Sequence, residues 1–142
     1  DDLTPEGSDI YYKIETALKE GKVVTVASSR LGNKDSKYKK NPQKLKGWKP
    51  NHQYYVTRCE TEANGIKGLF IFIGDAMQNR GSEYYKSKDG KLKRREVTAT
   101  KDKPIKDFPV TAESFFKYFG QYTISDPNQN PDKALNKKNN AK

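Results

Sequence analysis

The order of segments along the chain predicts an α+β domain with one antiparallel sheet and two helices. Two observations lead to this prediction. Apolar residues recur at helical spacing near both ends of the sequence, and two β-rich runs flank Asn64-Gly65, a pair typical of a tight hairpin turn. The 142 residues are enough for about one domain with one core.

The first helix is predicted over residues 8–20, followed by a short strand. Its apolar stripe recurs at i, i+4, i+7 and i+8 and consists of Ile10, Ile14, Ala17 and Leu18. Ser8 or Asp9 is the expected N-cap, and Gly21 suits the left-handed conformation that ends many helices. The β-branched run over residues 23–28 then predicts a short buried strand.

The middle of the chain predicts the hairpin. Residues 53–59 alternate and are rich in strand-forming side chains, and the Asn-Gly turn joins them to residues 68–73. The second run is almost unbroken in its apolar character, which is typical of the middle of a sheet. Beyond it, residues 74–89 are predicted to be irregular, and residues 91–98 to form a basic edge strand.

The C-terminal part predicts a second helix and a last strand. Thr111 is the expected N-cap of a helix that runs to Tyr118, and residues 121–125 follow as a short strand. From residue 126 the composition falls to Asn, Lys, Pro and Gln. We therefore expect a folded domain over residues 1–125 and a polar, mobile tail over residues 126–142.

Composition excludes several classes of protein. The longest apolar run covers residues 69–73, far below the roughly 18 residues that a membrane span needs. The single cysteine excludes an internal disulfide and a Cys–Cys zinc site. The first residues, DDLT, lack the basic-then-apolar order of a signal peptide. One cysteine fits both a cytoplasmic and a secreted bacterial protein, which leaves the compartment open.

The net charge of +10 is concentrated in two clusters. Residues 30–50 hold eight basic side chains against one acidic, and residues 86–95 hold six against one. In the first cluster, Tyr38 and Trp48 interleave with lysines, as in proteins that bind single strands. The candidate polyanion patch consists of Lys37, Lys39, Lys40, Lys44, Lys46 and Lys49. The alternative is a solvated loop, and we do not expect a nucleic-acid partner.

His52, the only histidine, is the first candidate for chemistry. It lies twelve residues before Asn64, and Asp75 lies ten residues after Gly65, so the hairpin brings both to the same end of the sheet. An imidazole beside a carboxylate is the arrangement of a general base and its orienting partner. The alternatives are a surface histidine beside a lysine loop and an aspartate that merely starts a turn.

Cys59 is the obvious nucleophile to test against His52. It lies seven residues further along the same predicted strand, roughly 23 Å away at about 3.3 Å per residue. The odd separation predicts that the two side chains point to opposite faces. We therefore expect Cys59 to be a small core residue, and no Gly-x-Ser-x-Gly motif marks a serine in its place.

Four segments in order resemble the second half of the calpain-type cysteine peptidase core. They are residues 10–29 (IYYKIETALKEGKVVTVASS), 51–60 (NHQYYVTRCE), 68–75 (GLFIFIGD) and 109–124 (PVTAESFFKYFGQYTI). The most specific piece is His52-x-Tyr54-x-Val56-Thr57, which is similar to the strand that bears the family's catalytic histidine. The resemblance implies a papain-like subdomain, a twisted antiparallel sheet with two or three helices.

Position by position, the resemblance makes His52 the catalytic histidine and Asp75 the residue that orients it. The family has an asparagine at that position, and a rival alignment would use Asn79. Ala76 and Met77 stand where the family has Pro-Trp. The family also binds calcium through loop acids of this half, for which Asp107 is a weak candidate, and we expect no cofactor.

The resemblance implies the His-bearing half of a cysteine endopeptidase. Its nucleophile would come from a preceding Cys-bearing subdomain, in the same precursor or in a separate chain, and its substrate would be an extended polypeptide. No Q-G-x-x-G-D-C-W motif of that subdomain occurs in this sequence. Two alternatives stay open: a catalytically inactive binding module with the same fold, and a basic polyanion-binding domain.

Overall fold

The computed structural model describes residues 3–28, 52–76, 80–119 and 121–126, except the side chains of Ser28 and Gln121. The elements in chain order are α1 (Pro5–Lys19), β1 (Val23–Ser28), β2 (His52–Ala63), β3 (Ile66–Gly74), β4 (Arg80–Lys86), β5 (Leu92–Thr98), β6 (Phe108–Thr111), α2 (Ala112–Tyr118) and β7 (Gln121–Ser125).

The fold is α+β, as predicted. Five strands form an antiparallel sheet in the order β6-β3-β2-β1-β7, and β4 and β5 form a separate two-stranded ribbon. The predicted turn joins β2 to β3, and both of its residues have positive φ, 52° at Asn64 and 76° at Gly65. Asparagine and glycine tolerate this left-handed conformation, which explains why the hairpin forms at this pair.

The two faces of the sheet pack against different partners. The larger core joins the sheet to α1 and α2 and includes the fully buried side chains of Ile14, Val24, Ile71, Val110 and Phe115. A smaller cluster joins the opposite face to the ribbon, and consists of Ala63, Phe70, Phe72 and Tyr84. β3 contributes to both clusters, so its apolar run is unbroken because both of its faces are buried.

Helix α1 begins earlier than the sequence predicts. Its N-cap is Thr4, whose hydroxyl accepts a hydrogen bond from the Gly7 N–H at 3.2 Å, and Pro5 occupies the first turn. The predicted caps Ser8 and Asp9 are therefore wrong, because a threonine followed by proline provides the stronger start. The predicted stop is confirmed, since the helix ends at Lys19 and Gly21 has a φ of 78°.

Two strands are absent from the predicted order. β4 lies within residues 74–89, which were expected to be irregular, and β6 lies just before the second helix. The sequence of β4, RGSEYYK, shows no clear apolar alternation. Tyr84 is its one residue in the small cluster. The other predictions are confirmed: β5 is a basic strand, Thr111 caps α2, and β7 follows it.

The beginning of α1 is tied to the beginning of α2 by a buried carboxylate. Both the backbone N–H and the hydroxyl of Thr4 donate to Oε2 of Glu113, at 2.8 and 2.7 Å. The other oxygen, Oε1, lies 3.6 Å from the ammonium of Lys117. Glu113 and Lys117 are both buried, so this polar contact lies inside the packed helix pair.

None of the helices in the described part of the chain is long and apolar enough to cross a membrane. The predicted lysine loop over residues 31–50 and the predicted tail from residue 127 onward lie outside the described residues.

Candidate active site

His52 and Asp75 meet at one end of the sheet. His52 is the first residue of β2, and Asp75 directly follows the last residue of β3. The His52 Nε2 atom lies 2.9 Å from Oδ2 of Asp75, with side-chain exposures of 28% and 4%. The hairpin thus brings His52 and Asp75 together, as counting residues along its two strands predicts. His52 is partly exposed and Asp75 is buried.

The two side chains are close to each other but are not aligned as a hydrogen bond. Although Oδ2 is within 2.9 Å of Nε2, it lies off the axis of the ring N–H bond. In enzymes without a bound substrate, hydrogen bonds between catalytic side chains are often long or poorly aligned.

A cluster of aromatic rings packs against the imidazole of His52. The Tyr54 ring meets the His52 ring edge-to-face, with 4.8 Å between the centroids. Tyr54 in turn packs at about right angles on Phe108 and Phe119, with centroid distances of 6.2 and 6.1 Å. From the sequence alone, Tyr54 is predicted only as a strand residue. Its place two residues after His52, on the same face of β2, is the feature that would have indicated this contact.

Gly74 sets the position of the carboxylate. A Cβ atom at residue 74 would lie 2.6 Å from the Lys106 carbonyl oxygen and 2.5 Å from the Tyr55 ring. The backbone immediately before Asp75 is therefore pressed against two neighbours, and only glycine fits this approach. Asp75 is consequently held by a rigid strand end rather than by a free loop.

Cys59 lies away from this pair but not on the opposite face, as the sequence predicted. The register of β2 against β3 shifts between Val56 and Arg58, where Thr57 is an extra residue. This β-bulge reverses the alternation, so that Cys59 packs on the same core cluster as Tyr54. The prediction of a core cysteine is consistent with this packing, whereas the prediction of its face is wrong because of the bulge.

Burial raises the pKa of the Cys59 thiol to about 12, and the nearby charges of Glu15 and Glu60 act in the same direction. We therefore expect iodoacetamide at pH 8 to alkylate Cys59 about a thousandfold more slowly in the folded protein than in urea, since only the thiolate reacts. Mass spectrometry over time measures both rates. Similar rates in the folded and unfolded protein would show that the Cys59 thiol is not buried.

Asp107, the weak calcium candidate, is engaged by neighbouring side chains. The Thr57 hydroxyl donates to its Oδ2 at 2.6 Å, and Nε of Arg58 approaches the same oxygen at 3.3 Å. The guanidinium of Arg58 also lies over the Phe72 ring, 3.8 Å from its centroid. A calcium ion at Asp107 would have to displace this arginine, and no group of three potential metal ligands occurs among the described residues.

Several of the residues that the sequence indicates lie outside the described part of the chain. Asn79, the rival to Asp75, and Met77 lie outside the described residues, as do all six lysines of the polyanion patch. Among the serines, Ser82 is buried in β4. The site that the structure describes is therefore the His52–Asp75 pair with its aromatic and glycine supports.

Comparison of the chain with protein-family models, with curated proteins and with solved structures gives no significant match.

Proposed function

We propose that this chain is the His-bearing half of a calpain-like cysteine endopeptidase. The single observation that supports this most strongly is the 2.9 Å contact between the His52 imidazole and the Asp75 carboxylate. The chain would act together with a Cys-bearing subdomain that precedes it or binds it. The substrate would be an extended polypeptide lying between the two halves.

The proposed chemistry uses both nitrogens of the imidazole. Asp75 faces Nε2 and fixes the tautomer and orientation of the ring, as the carboxylate of a catalytic triad does. Nδ1 would take the proton of the incoming thiol, giving a thiolate–imidazolium pair. The thiolate attacks the peptide carbonyl, the imidazolium returns the proton to the leaving amine, and water then releases the acyl group from sulfur.

The described residues favour a general base in this chain and a nucleophile in another subdomain. Its one cysteine is a poor nucleophile, because the pKa of Cys59 is raised to about 12 and its side chain packs on the core. His52, by contrast, keeps 28% of its side chain exposed at the end of the sheet. The partially open base and the inert thiol together favour a nucleophile supplied from elsewhere.

Replacement of His52 by alanine is the direct test. The chain is expressed together with the polypeptide encoded upstream of it, and casein cleavage is followed on a gel. We expect the His52→Ala variant to lose about a thousandfold in rate, since a general base contributes factors of this order. Gln53→Ala is the matched control, because Gln53 is the exposed next residue on the same strand.

The outcome of this experiment separates the candidate functions. Equal cleavage by the wild type and by His52→Ala would refute the proposed role of the histidine. If an intact upstream cysteine is present and neither form cleaves casein, the chain is a non-catalytic binding module of the same fold. Asp75 and Met77, which stand where the family has asparagine and tryptophan, favour that second candidate. Polyanion binding, favoured by the charge of +10 and by Tyr38 and Trp48 among the lysines, would instead show a steep salt dependence.

A further inference from the structure

An open apolar groove lies at the opposite end of the β2–β3 hairpin from His52. It has a volume of about 530 Å³ and runs between the start of α1, the hairpin and β5. Leu3 and Leu92 form its walls and remain 48% and 42% exposed, and Leu69 and Phe70 line it from β3. Large apolar side chains that stay exposed around one concave surface are typical of a binding site.

One side of this groove is an uncovered strand edge. β6 pairs with β3 only from Phe70 to Ile73, whereas β3 begins at Ile66. Lys67, Gly68 and Leu69 line the groove, and no strand in the described part of the chain pairs with their outer edge. An uncovered edge beside an apolar groove fits an extended peptide, whose main chain can add to the sheet.

A smaller polar pocket of about 170 Å³ adjoins the groove. The two cavities share Leu92 and Thr111, and the smaller one is also lined by Arg94, Ser114 and Tyr118. Burial raises the pKa of Tyr118, so its phenol stays neutral and can donate a hydrogen bond. A guanidinium and two hydroxyls around a small pocket are suited to a carboxylate.

Two acidic residues line the groove, Glu62 and Glu113. Glu62 lies opposite Lys67 in the β2–β3 register, and Lys67 lines the same groove. Glu113 lines the groove on the side of α1, where Thr4 donates two hydrogen bonds to its carboxylate and Lys117 lies 3.6 Å away. The negative charge of Glu113 is thus compensated within the helix pair.

The small pocket beyond Leu92 is basic, because Lys93 and Arg94 both line it. The groove thus combines apolar walls with a basic pocket at one end.

We propose that this groove binds an extended apolar peptide through its free C-terminal carboxylate. The main chain of the peptide pairs with the edge of β3 at residues 67–69, and its apolar side chains contact Leu3, Leu69 and Leu92. The carboxylate enters the pocket that Arg94 lines. This pocket has about a third of the volume of the groove, so it accommodates the end of a peptide rather than a continuing chain.

This binding surface is distinct from the proposed catalytic pair. Leu69 lies six residues before Asp75 on the same strand, a distance of roughly 20 Å at about 3.3 Å per residue. Peptide binding therefore requires neither His52 nor a Cys-bearing partner. The inference goes beyond the proposed function, and either one can fail without the other.

The test is an NMR titration of the full chain with a defined peptide panel. The probes are acetylated hexapeptides with Val, Ile, Leu or Phe at alternate positions and Thr between them, each made as a free acid and as a C-terminal amide. We expect free-acid probes to shift the amide signals of residues 67–69 and 92–94. The amides should bind about tenfold more weakly, since the charge-assisted contact to Arg94 is lost.

Two variants make the titration specific. Arg94→Gln should weaken free-acid binding about tenfold and leave the amide unchanged, because only the free acid carries the charge that arginine recognises. Lys88→Gln is the matched control, since it removes one positive charge from the exposed turn between β4 and β5 and should change neither affinity.

Several results would overturn the proposal. They are the absence of shifts with every free-acid probe at millimolar concentration, equal binding of acid and amide, and shifts confined to the surroundings of His52. Groove signals that move with protein concentration alone would instead identify a second copy of the chain as the occupant. Arg94→Gln is acceptable only if its unfolding midpoint stays close to that of the wild type.

Discussion

Replacement of Glu113 by alanine is expected to lower the free energy of unfolding by about 3 kcal/mol. The carboxylate is 3% exposed and accepts both hydrogen bonds of Thr4. Without it, the N–H and the hydroxyl of Thr4 lose their acceptor at the start of α1, and a buried charge is removed from beside Lys117. Urea unfolding followed by circular dichroism measures the change.

Two companion variants show whether the effect comes from these contacts. Glu113→Gln keeps an oxygen that Thr4 can bond, and should lose clearly less stability than Glu113→Ala. Glu6→Ala removes an exposed acid from the first turn of α1, and is expected to change stability by less than about 1 kcal/mol. If Glu113→Ala and Glu6→Ala have equal stability, the buried carboxylate does not hold the two helices together.

Replacement of Gly74 by alanine is expected to lower the free energy of unfolding by about 3 kcal/mol as well, and to disturb the His52–Asp75 contact. The new methyl group would lie 2.6 Å from the Lys106 carbonyl oxygen, which is backbone and cannot rotate away. The strand end must therefore move, and Asp75 moves with it. Urea unfolding measures the stability, and the NMR chemical shifts of the His52 ring report its contact with the carboxylate.

The neighbouring substitution Ala76→Ser is the control for this strand end. Ala76 is exposed, so the variant should leave both the stability and the chemical shifts of the His52 ring as they are in the wild type. The double variant Gly74→Ala with Tyr55→Ala removes the ring contact but keeps the clash with the carbonyl, and it should remain unstable. A Gly74→Ala protein of wild-type stability would show that the close approach does not exist.

The fold was predictable where a short motif dictates a backbone conformation. The Asn64-Gly65 turn needs left-handed residues, and once it is placed, counting along both strands brings His52 to Asp75. The Thr111 cap of α2 was predictable for the same local reason. These features depend on a few neighbouring residues, so the sequence contains all the information that they require.

The sequence could not indicate features that depend on distant partners. The bulge at Thr57 reverses the face of Cys59, yet nothing within β2 marks it, because the register is set against β3. Glu113 resembles an ordinary solvent-exposed acid in the first turn of a helix, and its burial follows from Thr4, 109 residues away. β4 is a strand because Tyr84 packs on Phe70 of the sheet.

The position of β1 has a consequence for how the protein is made. β1 lies between β2 and β7, and Val24 pairs with Ile124, one hundred positions later in the chain. The sheet cannot close until residues 121–125 have left the ribosome, so earlier portions of the nascent chain expose an unfinished edge. Long-range pairing of this kind is entropically costly to form and slows folding toward the millisecond-to-second range. The nascent chain therefore depends on β7 to cover the backbone of β1.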